Sequence, residues 1–388
     1  KYQFVLEVLE DKKYLNDNAY NSVEIHQLRI AMEAVSGEDL NWFFNQWFLA
    51  SGHPILRIDY DYDNNKKKQI VNIEQIQDQS NTNIYRLPFA IDVYVDGKAQ
   101  RHIKEMTKKK QQFVFDVSKR PSNVIVDAEH MLLAEIFDRK SDDSWLEQMH
   151  SPLYMDSKIA LENISDKNGY RAVIHALNSK FWGIRLIGVN KASKLKNKEE
   201  FLGLIEQIAK NEENTKVKSA ALRLLANLDN KNKYLPLFEL AIKEQSLLVA
   251  GSGLSGLAKV DAEKALALAP SFENDLKNVV NDIYANYGGP EKAFYFQNLF
   301  LNSSGYDLYY LMRDYTKFLK NQDLSIILTG TPVLEKVSED AKSWMIRVSQ
   351  YYLSDIKSTI TELYKIEKNK DLKKKAYATL ERIEDLLK

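Results

Sequence analysis

The 388-residue chain contains no cysteine, which excludes disulfides, thiolate zinc sites and cysteine nucleophiles together. Net charge is also missing. Fifty-four basic and 54 acidic residues cancel, so no global field draws the chain to nucleic acid or to an anionic membrane surface. The basic runs Lys66-Lys67-Lys68, Lys108-Lys109-Lys110 and Lys373-Lys374-Lys375 fall at two expected turns and on a terminal helix, and they read as solvated charge. No apolar run approaches the ~20 residues a membrane helix requires, so no span is expected. The chain is expected to be soluble. It does not start with methionine, so the lack of a secretion signal leaves cytoplasm and periplasm equally open.

Histidine is scarce. The six are His26, His53, His102, His130, His150 and His175, and the two nearest neighbours stand 20 residues apart. No pair therefore has the four-residue spacing that places two imidazoles of one helix on a metal. A Gly-x-Ser-x-Gly nucleophile frame is absent too. Gly251-Ser252-Gly253 and Gly256 have no preceding strand and no Gly-Lys-Ser/Thr, which argues against a phosphate loop. The acidic pairs Asp142-Asp143 and Glu212-Glu213 read as helix caps, because neighbours on a helix point about 100° apart.

What is present is enough hydrophobic sequence, 44%, for two to three domains. Residues 1–54 read as helical, with a first segment around Phe4-Val5-Leu6-Val8-Leu9. Two amphipathic helices follow, with apolar residues at 25, 28, 32 and 35 and then at 40, 43, 44 and 47. Gly37 suits the left-handed stop of the first, and Ser36 or Glu38-Asp39 suits the cap of the second. Three helices are too few to enclose Trp42, Phe43, Phe44 and Trp47. Burying one such ring is worth roughly 2–3 kcal/mol, so this face is expected to have a partner, either the following strands or a separate domain.

From Ile55 to about Asp127 the period becomes two, as in Leu56-Ile58-Tyr60-Tyr62 and Phe113-Phe115-Val117, with turns at Asn64-Asn65 and Asp96-Gly97. Six or seven short strands predict a small β-sandwich. The Tyr60-Tyr62 stripe is explained by a half-buried strand face more cheaply than by a sugar-stacking platform. A helical region is expected from Glu129–Phe137 onward, to Lys388. Within it Ile184, Ile187, Gly188, Ala192 and Leu195 share their spacing with Val217, Ala220, Ala221, Leu225 and Leu228. Val249, Ser252, Gly253, Leu257 and Val260 repeat it again, the three sets starting 33 and 32 residues apart. Small residues at the fourth and fifth positions let stacked helices lie close, as in HEAT-type solenoids. Breakers are expected at Gly288-Gly289-Pro290, Ser303-Ser304-Gly305 and Gly330-Thr331-Pro332, and a polar cap after Val333.

One stretch has a more specific pattern. Ala31-Met32-Glu33, Ser36-Gly37, Asp39-Leu40, Phe43-Phe44, Gln46-Trp47 and Gly52-His53-Pro54 together resemble the end of the catalytic domain in the M1 zinc aminopeptidases. The order of strands and then helices is that family's order as well. The resemblance implies a multidomain fold: residual helices of a thermolysin-like catalytic domain at 1–54, an all-β sandwich at 55–128, and an all-α HEAT-like superhelix at 129–388. It places Trp42, Phe43, Phe44, Trp47, His53 and Pro54 at a domain junction as packing residues. The family's His-Glu-x-x-His helix, its general base, its oxyanion tyrosine and its Gly-x-Met-x-Asn strand match no positions here, so no catalytic or metal role is carried onto any residue. The resemblance thus implies the non-catalytic C-terminal region of such an enzyme. Zinc would belong to the parent, and the partners would be the missing catalytic domain and, through the parent, a peptide substrate. The rival expectation is a free-standing HEAT-like scaffold that binds a protein. An apolar surface patch over residues 1–54 of well over a few hundred Å² favours the first.

Overall fold

The computed structural model describes residues 13–151, 153–301, 303–341 and 344–388. The helix expected around Phe4–Leu9 lies outside the described residues. A small mixed sheet region precedes a long helical region. The chain divides into two compact units, Lys1–Ala172 and Val173–Lys388.

In the first unit α1 (Lys13–Asp17), α2 (Ile25–Ser36) and α3 (Asn41–Trp47) lead into the strands. Gly37 ends α2 at φ 69°, and its N–H donates to Glu33 O as the expected left-handed cap. The strands are β1 (Ile55–Asp63), β2 (Lys68–Gln75), β3 (Leu87–Val95), β4 (Lys98–Met106), β5 (Lys110–Asp116), β6 (Asn123–Val126) and β7 (Glu135–Asp138). They form one sheet of order β5-β2-β1-β7 and another of order β4-β3-β6. Asp96 and Gly97 both take positive φ, 54° and 69°, giving the tight turn between β3 and β4 whose twist matches the strands. The alternating residues of both sheets meet in a single core that includes Leu56, Ile58, Val71 and Ile73 from one and Leu87, Phe89, Ile91 and Val93 from the other. Every residue of β6 is buried, since Ile125 joins Ala90 and Ala128 on its opposite side.

The segment expected to open the helical region instead contains a strand. Glu135–Asp138 pairs in parallel with β1, Ile55 opposite Glu135 and Ile58 opposite Asp138, so the sheet runs past the expected end at 128. The physical cause is non-local: the open edge of β1 takes up the backbone groups of this segment. Before it, the Asp127 carboxylate accepts from the N–H groups of Met131 and Leu132 and holds an irregular turn there. Helices α4 (Asp142–Gln148), α5 (Tyr154–Asn163) and α6 (Asp166–Leu177) follow. Asp142 behaves as a cap residue, accepting from Ser165 N at 3.0 Å and Asn168 Nδ2 at 2.7 Å at the start of α6.

The second unit consists of α7 (Trp182–Lys194), α8 (Glu199–Asn211), α9 (Thr215–Leu225), α10 (Leu235–Ile242), α11 (Leu247–Val260), α12 (Ala262–Leu268), α13 (Lys277–Tyr287), α14 (Ala293–Leu301), α15 (Gly305–Lys320), α16 (Leu324–Glu339), α17 (Met345–Ile366) and α18 (Lys370–Leu386). Alternate helices α7, α9, α11, α13, α15 and α17 pack in succession, and the intervening ones lie against them. The periodic small residues sit where helices touch. A Cβ added at Gly253 would stand 2.8 Å from Ala241 Cβ, Ile242 N and Phe238 O, and one at Gly188 would stand 2.8 Å from Ala176 Cβ. Ser219 and Ser252, from consecutive repeats, hydrogen-bond at 2.7 Å in the interior.

Gly330-Thr331-Pro332 does not break the chain as expected; Pro332 lies inside α16. Leu324, Ile327, Thr331 and Leu334 are buried on one face of that helix, and Tyr315 Oη donates to Gly330 O at 3.2 Å. Burial outweighs the hydrogen bond that proline removes, and Gly330 provides the room that Leu319 and Tyr315 need.

Candidate functional site

The helices before β1 meet the sheet at one end and present an uncovered face at the other. Glu33 links α2 to α3: its carboxylate receives Arg29 Nη1 at 2.7 and 2.8 Å and the Leu40 N–H at 2.9 Å, which supplies an acceptor at the start of α3. Asp39 accepts from Asn41 N, and that hydrogen bond is the main cause lowering its pKa.

At the far end of α3, Gln46 acts as a substitute strand. Its Nε2 donates to Arg86 O at 3.1 Å while its Oε1 accepts from Arg86 N at 2.7 Å, just ahead of β3. Trp47 packs on the sheet core, its ring 5.2 Å from that of Tyr85. The Arg86 guanidinium covers the Trp42 ring at 4.3 Å and also pairs with Glu105 at 2.7 Å. Phe44 is buried, stacked on Phe48 at 4.8 Å and edge-on to Phe43 at 5.7 Å. Pro54 is buried, and its carbonyl accepts from Glu135 N at 3.1 Å. His53 Nε2 lies 2.7 Å from Glu135 Oε1, both side chains about half exposed, so this pair joins the entry loop to β7 on the surface. Gly52 takes φ +85°, and a Cβ there would overlap Thr82.

The opposite face is different. On α2, Ile25, Leu28 and Met32 are half-buried and no residue is fully buried, and Ile30, Val35, Phe48 and Leu49 are 53, 40, 50 and 67% exposed. Leu15 and Val23 are exposed as well. Of the four aromatics named from sequence only Phe44 is fully buried; Trp47 is half-buried against the sheet core, and Trp42 and Phe43 are half-buried beside the exposed patch. Gln46 belongs to the sequence pattern, but its role needed Arg86, which no local signal marks.

A second polar cluster lies deeper in the first unit, between β7 and α4–α5. Lys140, 2% exposed, reaches Asp138 Oδ2 at 3.2 Å and Gln148 Oε1 at 2.6 Å and lies 4.8 Å from the Trp145 ring centre. Burial pushes Lys140 down and Asp138 up in pKa. Gln148 Nε2 continues to Asp156 O, and Asp156 binds His130 Nε2 at 2.7 Å and Ser151 Oγ at 2.5 Å. The network ties the end of the sheet to the first helices. No substrate reaches a lysine so enclosed. Among the described residues no three His, Asp or Glu side chains are grouped to hold a metal ion. No described helix is long and apolar enough to cross a membrane.

No family model matches the chain, and no curated protein matches it either. Among solved structures, the fold is similar to Legionella pneumophila aminopeptidase A, crystallised in complex with aspartic acid, with a TM-score of 0.57 at 15% identity. The match covers 98% of this chain and 55% of that one, so the chain spans little more than half the length of the structure it resembles. The fold of the chain is aminopeptidase-like.

Proposed function

We propose that the chain is the non-catalytic C-terminal region of an M1-like zinc aminopeptidase, an enzyme that removes N-terminal residues from peptides. In this reading residues 1–54 are the last helices of its catalytic domain, the two sheets form a β-sandwich spacer, and the HEAT-like helical repeats cap the active-site cavity. Stacked helical pairs suit that role, because they build a broad wall that moves as a block.

The observation that supports this best is the contrast across α2 and α3. One end is fitted to the sheet by Gln46, Trp47 and Phe44, whereas the amphipathic 12-residue α2 is only partly covered, with Ile25, Leu28 and Met32 half-buried and Ile30 and Val35 exposed. A helix of that length is marginal in water unless its apolar face is packed. A catalytic domain seated on Ile30, Val35, Phe48 and Leu49 supplies the packing. Zinc and the chemistry of peptide hydrolysis belong to that domain.

The test is reconstitution. The chain is co-expressed with the segment of the same genome that carries a His-Glu-x-x-His motif, and the pair is assayed for co-purification and for hydrolysis of aminoacyl p-nitroanilides. The expected result is a zinc-dependent complex that Val35→Asp with Phe48→Asp disrupts. Failure of the wild-type chain to associate, with the segment folded and zinc-loaded, overturns the proposal.

A further inference from the structure

Outside that face, the second unit carries a groove of about 780 Å³ between α15 and α17, bordered by Asn286 of α13. Tyr309, Arg313 and Lys317 line it from α15 at four-residue spacing, and Arg347, Tyr351 and Asp355 line it from α17 in the same way, so each helix turns one continuous stripe toward it. The cations are not equivalent. Lys317 Nζ is bound to Asp282 at 3.2 Å, Lys320 Nζ to Asp355 at 2.6 Å, and Arg313 Nη2 to Asp314 at 2.7 Å. Arg347 is exposed and has no carboxylate partner among the described residues, leaving four cations against three carboxylates. One turn further along α17 from Arg347 stands Tyr351, 67% exposed. At the floor, Thr316 is 2% exposed and its Oγ1 has no hydrogen-bond partner among the described residues.

We propose that this groove binds an acidic peptide segment, with an Asp or Glu side chain on Arg347 and the peptide lying along the tyrosines. A planar guanidinium without a partner takes a carboxylate in a bidentate pair, and tyrosine rings give contact area at little entropic cost. A single unpartnered guanidinium matches one peptide carboxylate, whereas a polyphosphate, charged at every unit, would need a run of free cations, and Arg313, Lys317 and Lys320 are already paired. The neutral overall charge of the protein gives such a chain no compensating attraction. The site needs only the second unit's own residues, so it stands whether or not a catalytic domain docks elsewhere.

The experiment is fluorescence anisotropy with the full chain and a labelled Glu-rich decapeptide carrying an amidated C-terminus. The Gln analogue, a free-acid Gln analogue and a single-stranded oligonucleotide of equal length are its comparisons. The Glu peptide should bind at low salt and weaken as salt rises. Its affinity should fall about tenfold in Arg347→Gln, the loss of one charge-assisted contact, and fall again in Tyr351→Ala. Both side chains are exposed, so circular dichroism should be unchanged, and Lys210→Gln on α8 should bind as the wild type does. Equal binding of Glu and Gln peptides, insensitivity to Arg347→Gln, a preference set by the free C-terminal carboxylate, or tighter binding of the oligonucleotide would each overturn the proposal.

Discussion

Two glycines in consecutive helical pairs should respond in opposite directions to the same substitution. Gly203 is in the interior of α8 with nothing within 4 Å of a built Cβ, whereas the Cβ of an alanine at Gly253 would stand 2.8 Å from Ala241 Cβ and from two backbone atoms of α10. On helix propensity alone each Gly→Ala change is worth about 1 kcal/mol in favour of the folded state. At Gly203 that gain stands unopposed. At Gly253 the two contacted backbone atoms belong to α10 itself, so relief requires α10 and α11 to separate, and overpacking of this kind costs about 1–3 kcal/mol. The expected net effects are a stabilisation near 1 kcal/mol for Gly203→Ala and a destabilisation of up to about 2 kcal/mol for Gly253→Ala. Urea unfolding followed by far-ultraviolet circular dichroism, which reports chiefly on the helical unit, measures both midpoints at unchanged slope. A Gly253→Ala protein as stable as Gly203→Ala would refute close helix stacking as the reason for the small residues in the repeat.

Other outcomes follow from the first unit. Lys140→Met strands Asp138 in a buried site and should cost about 3–5 kcal/mol at neutral pH. Burial already raises the Asp138 pKa and loss of the Lys140 ammonium removes the charge that opposes this, so protonation relieves the stranded carboxylate; the defect should shrink as thermal melts are moved toward pH 4 and grow toward pH 8. The His130 pKa is raised, chiefly by its hydrogen bond to Asp156. Its stabilising contribution should be complete below the unfolded value near 6.5 and lost as pH rises through the higher folded value, a dependence that His130→Gln should abolish in chemical-denaturation series. Tyr62 buries a hydroxyl with no partner among the described residues, so Tyr62→Phe should raise the melting temperature, by about 1 kcal/mol of stability.

Much of this fold was legible from local pattern. Alternation placed the core faces of β1 and β5, Asp96-Gly97 marked its turn, and the spacing of Gly188, Ala221 and Gly253 marked helices that stack closely. What escaped was non-local. Glu135–Asp138 is a strand because β1 leaves an edge open some 80 residues earlier, which no window around it reveals. Pro332 reads as a breaker until the burial of Leu324, Ile327 and Leu334 is known. The enclosure of Lys140 depends on Asp138, Gln148 and Trp145 converging from a strand and a helix, and an isolated lysine in sequence reads as surface. At the candidate interface, the apolar residues of α2 were evident from periodicity, while their incomplete cover, with Ile25, Leu28 and Met32 half-buried and Val35 exposed, became visible only with the fold.

The claim on which the account rests is that the uncovered face of α2 and α3 belongs against a catalytic domain. Hydrogen exchange with mass spectrometry, on the chain alone and mixed with the zinc-motif segment, tests it directly. The account predicts fast exchange in residues 25–49 of the free chain and strong protection confined to that stretch in the mixture. Slow exchange there in the free chain, or protection that falls on the helical repeats instead, would contradict it.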